Sequence, residues 1–589
     1  MKKNYSFIIF FCLLFLGSAN ILFSQSFTYY KQVFKVDTLY PSTGTKGMNS
    51  AWELVYGPDD SLWVTESHNY KLWKINPNNK GSRVILDLNN SKDFTSSSVG
   101  MWPQGGLMGL AIHPQFYEGK PWVYIAYVYH VVYCALDVCY CTNKPPCVYN
   151  TKIVRYNYNF SDGSLTVIDT VISNLNGSND HNSGRIKISP VAESDGLYHL
   201  YYTIGDMGAG NNNNNINRTN NAQDTTIYEG KVLRLNTEPD IAQSGGAEWI
   251  PDDNPFPSNA AGVLKNAIYS YGHRNPQGLA FGSSDNGVTY NLYSSEHGDK
   301  SDDEVNIINP HTNYGWPKVA GLCDDNYTST LNDSMYLASK SVINETNFCL
   351  LNHVQEPIFS FYNWSREDTK ISGSNSNNYS WPTIAPTSIA FYESSTIPGW
   401  KNSLLIPSLK NGLFRLKLKA DGLSIDSASN PADTISYFHG YRLRNIISAP
   451  TGDTLFISVD SSCCTLGTAG VINGSQVVTP DMGYILRMVY LTTLPLEEYI
   501  PPPPQVTGPA SVKVYPNPAS NYLYVQSIKG MHKPLRAQLY DMSGRLILET
   551  ITADDNFSIN IKGQARGTYI FKLFSGYDIE TDTEKIVID

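Results

Sequence analysis

The sequence predicts an all-β protein, a six-bladed β-propeller followed by a small β-sandwich. Three observations lead to this prediction. Short runs alternate between apolar and polar residues with period two, and Gly, Pro, Asp and Asn turns separate them. A pattern of three such runs recurs from Ala51 to Tyr490. Aromatic residues make up 12% of the chain and charged residues 16%, a composition typical of packed, strand-rich proteins.

Each copy of the repeat contains an apolar strand, a second strand that ends in an acidic or polar residue, and a third strand of basic and apolar residues. Repeats of this size and strand content are typical of propellers, and no comparable stretch has helical periodicity. Six copies predict six blades, although their degeneracy leaves seven blades open. The copies span residues 51–77, 106–158, 184–236, 277–309, 387–417 and 444–490.

Residues 1–24 have the features of a secretory signal peptide. Lys2 and Lys3 precede an apolar run from Phe7 to Gly17, and small polar residues follow it. That run is too short to span a bilayer, and no later segment is long and apolar enough to do so. We therefore expect a soluble, exported protein. The formal charge of −10 argues against a nucleic-acid-binding surface, which needs a basic stripe.

Eight cysteines follow the predicted signal peptide, and an even number in an exported chain favours disulfides. The sequence cannot choose among the pairings. A zinc site is the less favoured alternative for the cluster from Cys134 to Cys147, because the protein is expected to be exported. The adjacent pair Cys463 and Cys464 is left open, because adjacent Cα atoms lie closer than bridge geometry prefers. The eight are Cys134, Cys139, Cys141, Cys147, Cys323, Cys349, Cys463 and Cys464.

A proline-rich segment, residues 494–510, separates the predicted propeller (25–493) from a small all-β tail (511–589) and should form an extended spacer. The tail contains the runs VKVYPNPASNYLYVQS, AQLYDMSGRLILE and GTYIFKLFSG. With these motifs it resembles the C-terminal sorting domain of proteins exported by the type IX secretion system. The resemblance implies a secreted or cell-surface protein with that machinery as a partner. A generic carbohydrate-binding β-sandwich is the alternative.

Candidate functional residues occur at two phases of the repeat. Residues just before a first strand or just after a second strand should converge at one end of a propeller's channel. Four of them are cations in an acidic protein, which favours a polyanionic ligand. Taken singly, each could instead be a structural residue. Before first strands lie Gln104, Asp180, His181, Arg274, Asn275, Trp381, Thr383, Arg442 and Arg444; after second strands lie Asp206, His297, Gly298, Asp299 and Lys410.

The same segments resemble the soluble quinoprotein glucose dehydrogenases, which are six-bladed propellers that carry pyrroloquinoline quinone (PQQ) and calcium. The resemblance covers about residues 45–490. It rests on DHNSGRI (180–186), YYTIGDMG (201–208), YGHRNPQGLAF (271–281), SDDEVNII (301–308), NYGWPKVAG (313–321), WPTIAP (381–386), LLIPSLKNG (404–412) and YRLRNIISAP (441–450).

Carried over motif by motif, the resemblance implies catalytic and cofactor-binding roles. His181 would be the general base that removes the proton of the sugar's anomeric hydroxyl as hydride passes from C1 to the quinone. Asp206 would hold His181 in its working tautomer, and Arg274 would stabilise negative charge on the reduced quinone. The carboxylates and quinone oxygens of PQQ would be bound by Lys410, Arg442 and Arg444, with hydrogen bonds from Asn275 and Thr383.

The resemblance also implies substrate and metal ligands. Gln104 and Asp180 would bind sugar hydroxyls, and Trp381 would offer an apolar face to the pyranose ring. The active-site Ca²⁺ would take main-chain oxygens of Gly298 and Asp299. A structural calcium would be bound by Glu304, the main-chain oxygen of Tyr314 and Asp324.

Three departures from the family pattern affect mainly the substrate side. The family's Gln-Gly-Pro reads His297-Gly298-Asp299, so Asp299 could add a charged calcium ligand. A substrate-side aromatic is replaced by Asn378, with Tyr379 one position nearer the tryptophan. The Asn-rich loop 211–221 does not match the family's sugar-contacting loop.

These observations predict a PQQ- and Ca²⁺-dependent aldose dehydrogenase that oxidises a sugar at C1 to its lactone. Electrons would pass to an external acceptor, because the sequence contains no C-x-x-C-H haem motif. A homodimer is a further expectation. The rival class is a non-catalytic carbohydrate-binding or adhesive propeller, which has no need of a base beside a cation cluster. A calcium-dependent lactonase would leave the clustered cations unexplained.

Overall fold

The computed structural model describes two compact units, divided between Leu494 and Pro495. The predicted signal peptide and spacer, and every cysteine named above except Cys323 and Cys349, lie outside the described residues. The residues described are 25–29, 32–42, 47–92, 103–130, 149–209, 218–242, 247–256, 266–299, 301–325, 344–362, 383–410, 412–426, 433–435, 438, 441–460, 471–472, 475–476, 483–493, 512–526, 535–542, 545–552, 554, 556–575 and 579–589.

Within these residues the first unit contains six sheets of four or five strands, here called sheets I to VI, and one short ribbon, Val471–Ile472 with Ser475–Gln476. Their strands, in hydrogen-bonding order, are as follows. Sheet I contains Ala51–Tyr56, Leu62–Glu66, Lys71–Ile75 and Ser82–Asp87. Sheet II contains Leu107–Ile112, Trp122–His130, Tyr149–Tyr158 and Leu165–Gly177. Sheet III contains Ile186–Ile188, His199–Ile204, Lys231–Asn236, Ile268–Tyr271 and Thr312–Asn313.

The remaining three sheets of this unit follow in chain order. Sheet IV contains Pro276–Gly282, Asn291–Glu296, Asp303–Ile307 and Phe359–Phe361. Sheet V contains Ala390–Tyr392, Ser403–Ser408, Gly412–Lys417 and Asp433–Ile435. Sheet VI contains Leu443–Ser448, Thr454–Val459, Ile485–Thr493, Gln32–Tyr40 and Gln25–Tyr29.

The six sheets form a closed ring. The first strand of each sheet contacts the first strand of the next, and that of sheet VI contacts that of sheet I. A hydrophobic cluster fills each of the six interfaces, for example Trp63 with Leu107 between sheets I and II. Successive side chains of a strand point to opposite faces of the sheet. Each strand therefore contributes apolar residues to the clusters on both sides of its sheet. The all-β prediction is confirmed.

The ring is closed by strands from both ends of the unit. Gln32–Tyr40 pairs with Ile485–Thr493, so the chain's beginning completes the last sheet. Arg487 donates to both carboxylate oxygens of Asp37 across this pairing, at 2.9 and 2.8 Å. The buried Phe34 ring lies 5.4 Å from that of Trp400. Unfolding either end therefore removes packing from sheet VI.

Little of the described chain is helical. The 3₁₀ turn Ala247–Trp249 and the α-helix Glu345–Asn352 are short, and the sequence pattern did not predict them. Asn344 caps the α-helix by accepting a hydrogen bond from the Asn347 amide at 2.7 Å. A disulfide joins Cys349 of the helix to Cys323. No helix among the described residues is long and apolar enough to cross a bilayer.

The second unit contains two antiparallel sheets whose buried residues form one hydrophobic cluster. Exposed and buried residues alternate along its strands, so each sheet has one face in the core. The three-stranded sheet contains Lys513–Tyr515, Tyr522–Gln526 and Asn556–Asn560. The four-stranded sheet contains Leu546–Thr552, Leu535–Asp541, Gly567–Ser575 and Ile579–Ile588.

Candidate active site

The described loop residues before the first strands of sheets II to VI and after the second strands of sheets III to VI meet at one end of the ring, here called the mouth. His181, which precedes sheet III, lies against Asp206, which follows the second strand of that sheet. Their Nδ1 and Oδ1 atoms are 2.7 Å apart, and both side chains are buried. His181 has a left-handed backbone (φ 51°). A Cβ on Gly205 would lie 2.1 Å from the His181 carbonyl, so glycine allows this approach.

The Asp206 carboxylate accepts three further hydrogen bonds. They come from the Gly208 amide at 2.9 Å, the Asn220 side chain at 3.1 Å and the Trp316 indole at 2.8 Å. Burial alone would raise the pKa of Asp206, but His181, Arg274 and the Trp316 hydrogen bond together lower it. An ionised acceptor at Oδ1 places the His181 proton on Nδ1. Nε2, 3.6 Å from an Asp180 oxygen, is then the nitrogen that carries the lone pair and can accept a proton.

Arg274 joins this pair to the next loop of the mouth. Its carbonyl accepts the Asp206 amide at 2.8 Å, and its guanidinium lies 5.3 Å from the Trp316 ring centroid. Nη2 is 3.6 Å from the Asp299 carboxylate. The Arg274 and Asn275 amides both donate to Glu296, which fixes this turn. A buried guanidinium is thus held beside the imidazole.

Three more cations of the mouth are buried. Lys410 donates to Thr383. Burial lowers the pKa of Lys410 to about 8, partly opposed by the charge of Asp303. Arg442 and Arg444 share the Asp460 carboxylate, with nitrogen–oxygen distances of 3.4 and 2.5 Å.

His297 lies close enough to Arg274 and Arg444 for both charges to act on it. Its Nε2 donates to the Pro386 carbonyl at 2.8 Å. Burial, followed by the positive charges of Arg274, His181 and Arg444, lowers its pKa well below the usual value. His297 is therefore neutral.

Polar side chains between these groups are only partly satisfied. The Asn275 oxygen accepts from Ser183 at 3.0 Å and from Gln277 at 3.1 Å. Its Nδ2 is buried and has no hydrogen-bond partner among the described residues. A buried, unsatisfied donor indicates a missing acceptor at this point. Gln104 contacts Asp180 at 3.5 Å and forms the partly exposed edge of the mouth.

The residues predicted to bind the active-site calcium occupy a tight turn. The Gly298 amide donates to Asp303 at 2.9 Å, and a Cβ on Gly298 would lie 1.9 Å from the Ser301 carbonyl. Asp303 also accepts from Ala385 at 2.9 Å, which ties this turn to the loop that carries Thr383. Among the described residues, no group of three His, Cys, Asp or Glu side chains could hold a metal. A metal here would depend on main-chain or ligand oxygens.

Of the residues predicted for the structural calcium, Glu304 lies in the third strand of sheet IV, opposite Glu296. The Glu304 carboxylate accepts from the Gly321 amide at 2.8 Å and from Asn306 at 2.9 Å. Burial and the nearby Glu296 raise the pKa of Glu304 well above its usual value. The charges of Glu296 and Glu304 also influence Tyr314, whereas Asp324 is exposed. Trp381, Asn378 and Tyr379 lie outside the described residues.

Sequence reasoning overlooked several residues of the mouth. Asp460 follows the second strand of sheet VI and therefore had the same phase signal as Asp206. Asp303 begins a third strand, and Asn220 belongs to the Asn-rich loop that matched no pattern. Trp316 follows the fifth strand of sheet III, outside the three-strand repeat, so no phase argument could find it.

Comparisons with known proteins support the resemblance drawn from the motifs. Quinoprotein glucose dehydrogenase B of Acinetobacter calcoaceticus is 32% identical over 475 residues, which cover 75% of this chain and 89% of that protein. Aldose sugar dehydrogenase YliI of Escherichia coli (strain K12) is 27% identical over 46% of this chain and 56% of its own length. A solved glucose dehydrogenase structure covers 78% of this chain and 99% of its own, with 21% identity and a TM-score of 0.50, which supports the fold alone.

Two family models match the chain. Residues 513–589 match the secretion system C-terminal sorting domain, so the predicted sorting tail is confirmed and indicates export. Residues 48–345 and 360–466 match the glucose/sorbosone dehydrogenase model. Together with the relative from Acinetobacter, this match shows that the chain belongs to the glucose/sorbosone dehydrogenase family.

Proposed function

We propose that this protein oxidises an aldose at C1 to its lactone, with PQQ and Ca²⁺ as cofactors and an external electron acceptor. The observation that carries the proposal is a buried base, His181 with Asp206, in the same mouth as Arg274 and three more buried cations. A protein that only binds neutral sugars needs neither the base nor the cations.

The fold supports the same proposal. We interpret the ring of six sheets as a six-bladed propeller over residues 25–493, because each first strand contacts the next around the ring. The two tail sheets share one cluster and are interpreted as a β-sandwich over residues 511–589. A signal peptide at residues 1–24, a spacer at 494–510 and recognition by the type IX machinery complete the proposed route to the cell surface.

PQQ fits the donors of the mouth. Lys410, Arg442 and Arg444 offer positive charge to its three carboxylates, and Thr383 lies beside Lys410. The unsatisfied Asn275 Nδ2 would donate to one of its oxygens. When bound, PQQ supplies an ortho-quinone that accepts hydride from the sugar.

His181 performs the proton chemistry in this proposal. Because Nδ1–H donates to Asp206, Nε2 is the atom that accepts the proton of the C1 hydroxyl. The Asp206 charge stabilises the imidazolium that forms. Arg274, held by Trp316 and Asp299, stabilises negative charge that develops in the mouth.

Gln104 and Asp180 would orient the sugar. Both lie at the partly exposed edge of the mouth, and Asp180 is 3.6 Å from Nε2 of His181. Hydroxyl groups bound there would place C1 beside the base. Trp381 would contact the pyranose ring.

Calcium would be held at the Gly298 turn. The main-chain oxygens of Gly298 and Asp299 and the Asp299 carboxylate are hard ligands that suit Ca²⁺. A second, structural calcium would be bound by Glu304, Asp324 and the Tyr314 carbonyl. The buried, closely spaced carboxylates Glu296 and Glu304 support a nearby cation.

Reconstitution tests the proposal. The purified full chain is loaded with PQQ and Ca²⁺ and assayed for dye reduction with a panel of aldoses, with lactone formation measured directly. The expected result is sugar-dependent turnover that is lost with EDTA and restored by Ca²⁺. Cofactor uptake without turnover on any aldose would contradict the substrate class. No uptake and no turnover would favour the non-catalytic carbohydrate-binding propeller.

A further inference from the structure

We propose that Trp316 is a positioning residue that holds both the His181–Asp206 pair and Arg274 in their working geometry. This inference rests on the proposed function. It concerns a buried side chain whose nitrogen donates to Asp206 and whose ring lies beside Arg274.

The indole makes two different contacts from one buried position. Its Nε1–H donates to Asp206 Oδ2 at 2.8 Å, and the Arg274 guanidinium lies 5.3 Å from its ring centroid. Trp316 is 5% exposed. A hydrogen bond to a buried carboxylate is stronger than one in water, and a cation over an indole face is favourable. One side chain therefore contacts both the base pair and the guanidinium.

The indole bond helps to fix the orientation of the Asp206 carboxylate plane relative to the imidazole. Oδ2 accepts from Trp316 and Asn220, whereas Oδ1 accepts from Gly208 and His181. With both oxygens occupied, the carboxylate cannot rotate without losing donors in a buried site. Oδ1 thus stays opposite His181 Nδ1, and the imidazole keeps Nε2 as its acceptor.

The backbone holds Trp316 in place. Its amide donates to the Gly272 carbonyl at 3.0 Å, and its carbonyl accepts from Gln223 at 2.8 Å. Gly315 before it has a left-handed φ of 91°, and a Cβ there would lie 2.7 Å from Val319. The indole is consequently presented to Asp206 from a loop that is fixed on both sides.

Trp400 provides a matched control within the same chain. It is also buried, and its ring packs against Phe34 and Tyr392. Its indole nitrogen has no hydrogen-bond partner in the part of the chain that the structure describes. Like Trp316, Trp400 has a guanidinium near its ring, that of Arg415 at 5.4 Å from the centroid. Its replacement by phenylalanine therefore separates loss of an indole donor from loss of ring volume.

The test compares Trp316→Phe, Trp316→Leu and Trp400→Phe in two measurements. The first is the ¹⁵N-histidine NMR spectrum of the cofactor-free full chain, which contains 11 histidines, with His181 assigned from His181→Ala. In the parent protein and in Trp400→Phe, we expect a hydrogen-bonded Nδ1–H signal for His181. In Trp316→Phe, we expect that signal to broaden or to be replaced by the Nε2–H tautomer.

The second measurement is steady-state kinetics of the loaded enzyme. For Trp316→Phe, kcat should fall roughly tenfold to a hundredfold, as expected when a catalytic group is displaced, with KM and PQQ uptake unchanged. In Trp316→Leu, kcat should fall further, because Arg274 also loses its contact with an aromatic ring. Trp400→Phe should keep the parent kcat.

Two outcomes would overturn the proposal. One is a parent-like His181 tautomer in Trp316→Phe, and the other is an equal loss of kcat in Trp400→Phe. The NMR measurement needs no cofactor or substrate. If no aldose is oxidised, the proposed function fails while the positioning role is still tested by the spectrum.

Discussion

The ring contains two buried networks of charged residues, which are built from the same types of side chain but differ in function. The central network joins the inner strands of several sheets through Arg185 and Glu53, which are 1% and 0% exposed. Arg185 donates to Glu53 at 2.6 Å and to the carbonyls of Gln277 and Thr387 at 2.9 and 2.8 Å. Glu53 also accepts from Lys187 and Asn445.

The mouth contains a different balance of charges and partners. There, Arg442 and Arg444 share one carboxylate, and Asn275 Nδ2 has no partner among the described residues. In the central network, by contrast, the guanidinium of Arg185 is bonded at all three nitrogens. A buried network whose donors are all hydrogen-bonded specifies how sheets pack, whereas a network with unsatisfied donors is suited to binding a ligand. Mutations should therefore affect stability at the centre and binding or turnover at the mouth.

The largest expected effect is at the base. His181→Ala should lower kcat by roughly 10³-fold, within the range for loss of a general base. PQQ uptake should be retained, because His181 is not among the cofactor-binding cations. Steady-state dye reduction and cofactor titration measure the two quantities. Loss of uptake would mean that the role of His181 is misassigned.

Replacing a residue of the central network should lower the free energy of unfolding instead. Arg185→Met leaves Glu53 without its main partner and should cost about 3–5 kcal/mol of unfolding free energy, measured by denaturant titration. The exposed Arg83→Met is the control and should change stability by less than about 0.5 kcal/mol. PQQ uptake per folded molecule should be unchanged in both. A stability loss below about 1 kcal/mol for Arg185→Met would erase the distinction between the networks.

The pH dependence of PQQ affinity should reveal the contribution of Lys410 in the mouth. Since its pKa is about 8, the ammonium is lost as pH rises through 8 and regained below it. Affinity for anionic PQQ should therefore decrease between pH 7 and 9, by at most about tenfold per pH unit. Lys410→Met should bind roughly 10–100-fold more weakly at pH 7 and lose that slope. Lys401→Met, which removes a lysine bonded to Asn286, should keep the parent behaviour.

The smallest expected effects are those of replacing one asparagine in each network, Asn445 and Asn275. Asn445→Leu removes donors to Glu53 and to the Trp52 carbonyl and should cost about 1–3 kcal/mol of stability without changing PQQ affinity. Asn275→Leu should weaken PQQ binding by roughly tenfold. Calorimetric titration and denaturant titration of both variants provide the comparison. Equal effects of the two variants on PQQ affinity would contradict it.

Local patterns predicted much of the ring and part of the mouth. Short apolar and aromatic runs such as Lys71–Ile75 predicted strands, and the position within the repeat indicated His181, Asp206, Arg274 and Lys410. Outer strands such as Asp433–Ile435 are short and carry too few residues for a periodic signal. Pairing of Gln32–Tyr40 with Ile485–Thr493 was equally inaccessible, because it joins segments about 450 residues apart.

The sequence by itself determined the strand-rich class, the sorting tail and the family, because period-two alternation and contiguous motifs are local properties of the chain. The tertiary structure alone decided the partners of each buried charge. Trp316 meets Asp206 across 110 positions, and Arg185 meets Glu53 across 132. Such contacts form only when the ring closes and brings distant loops to one end. No local sequence pattern indicates which loops become neighbours, so these contacts could not be predicted.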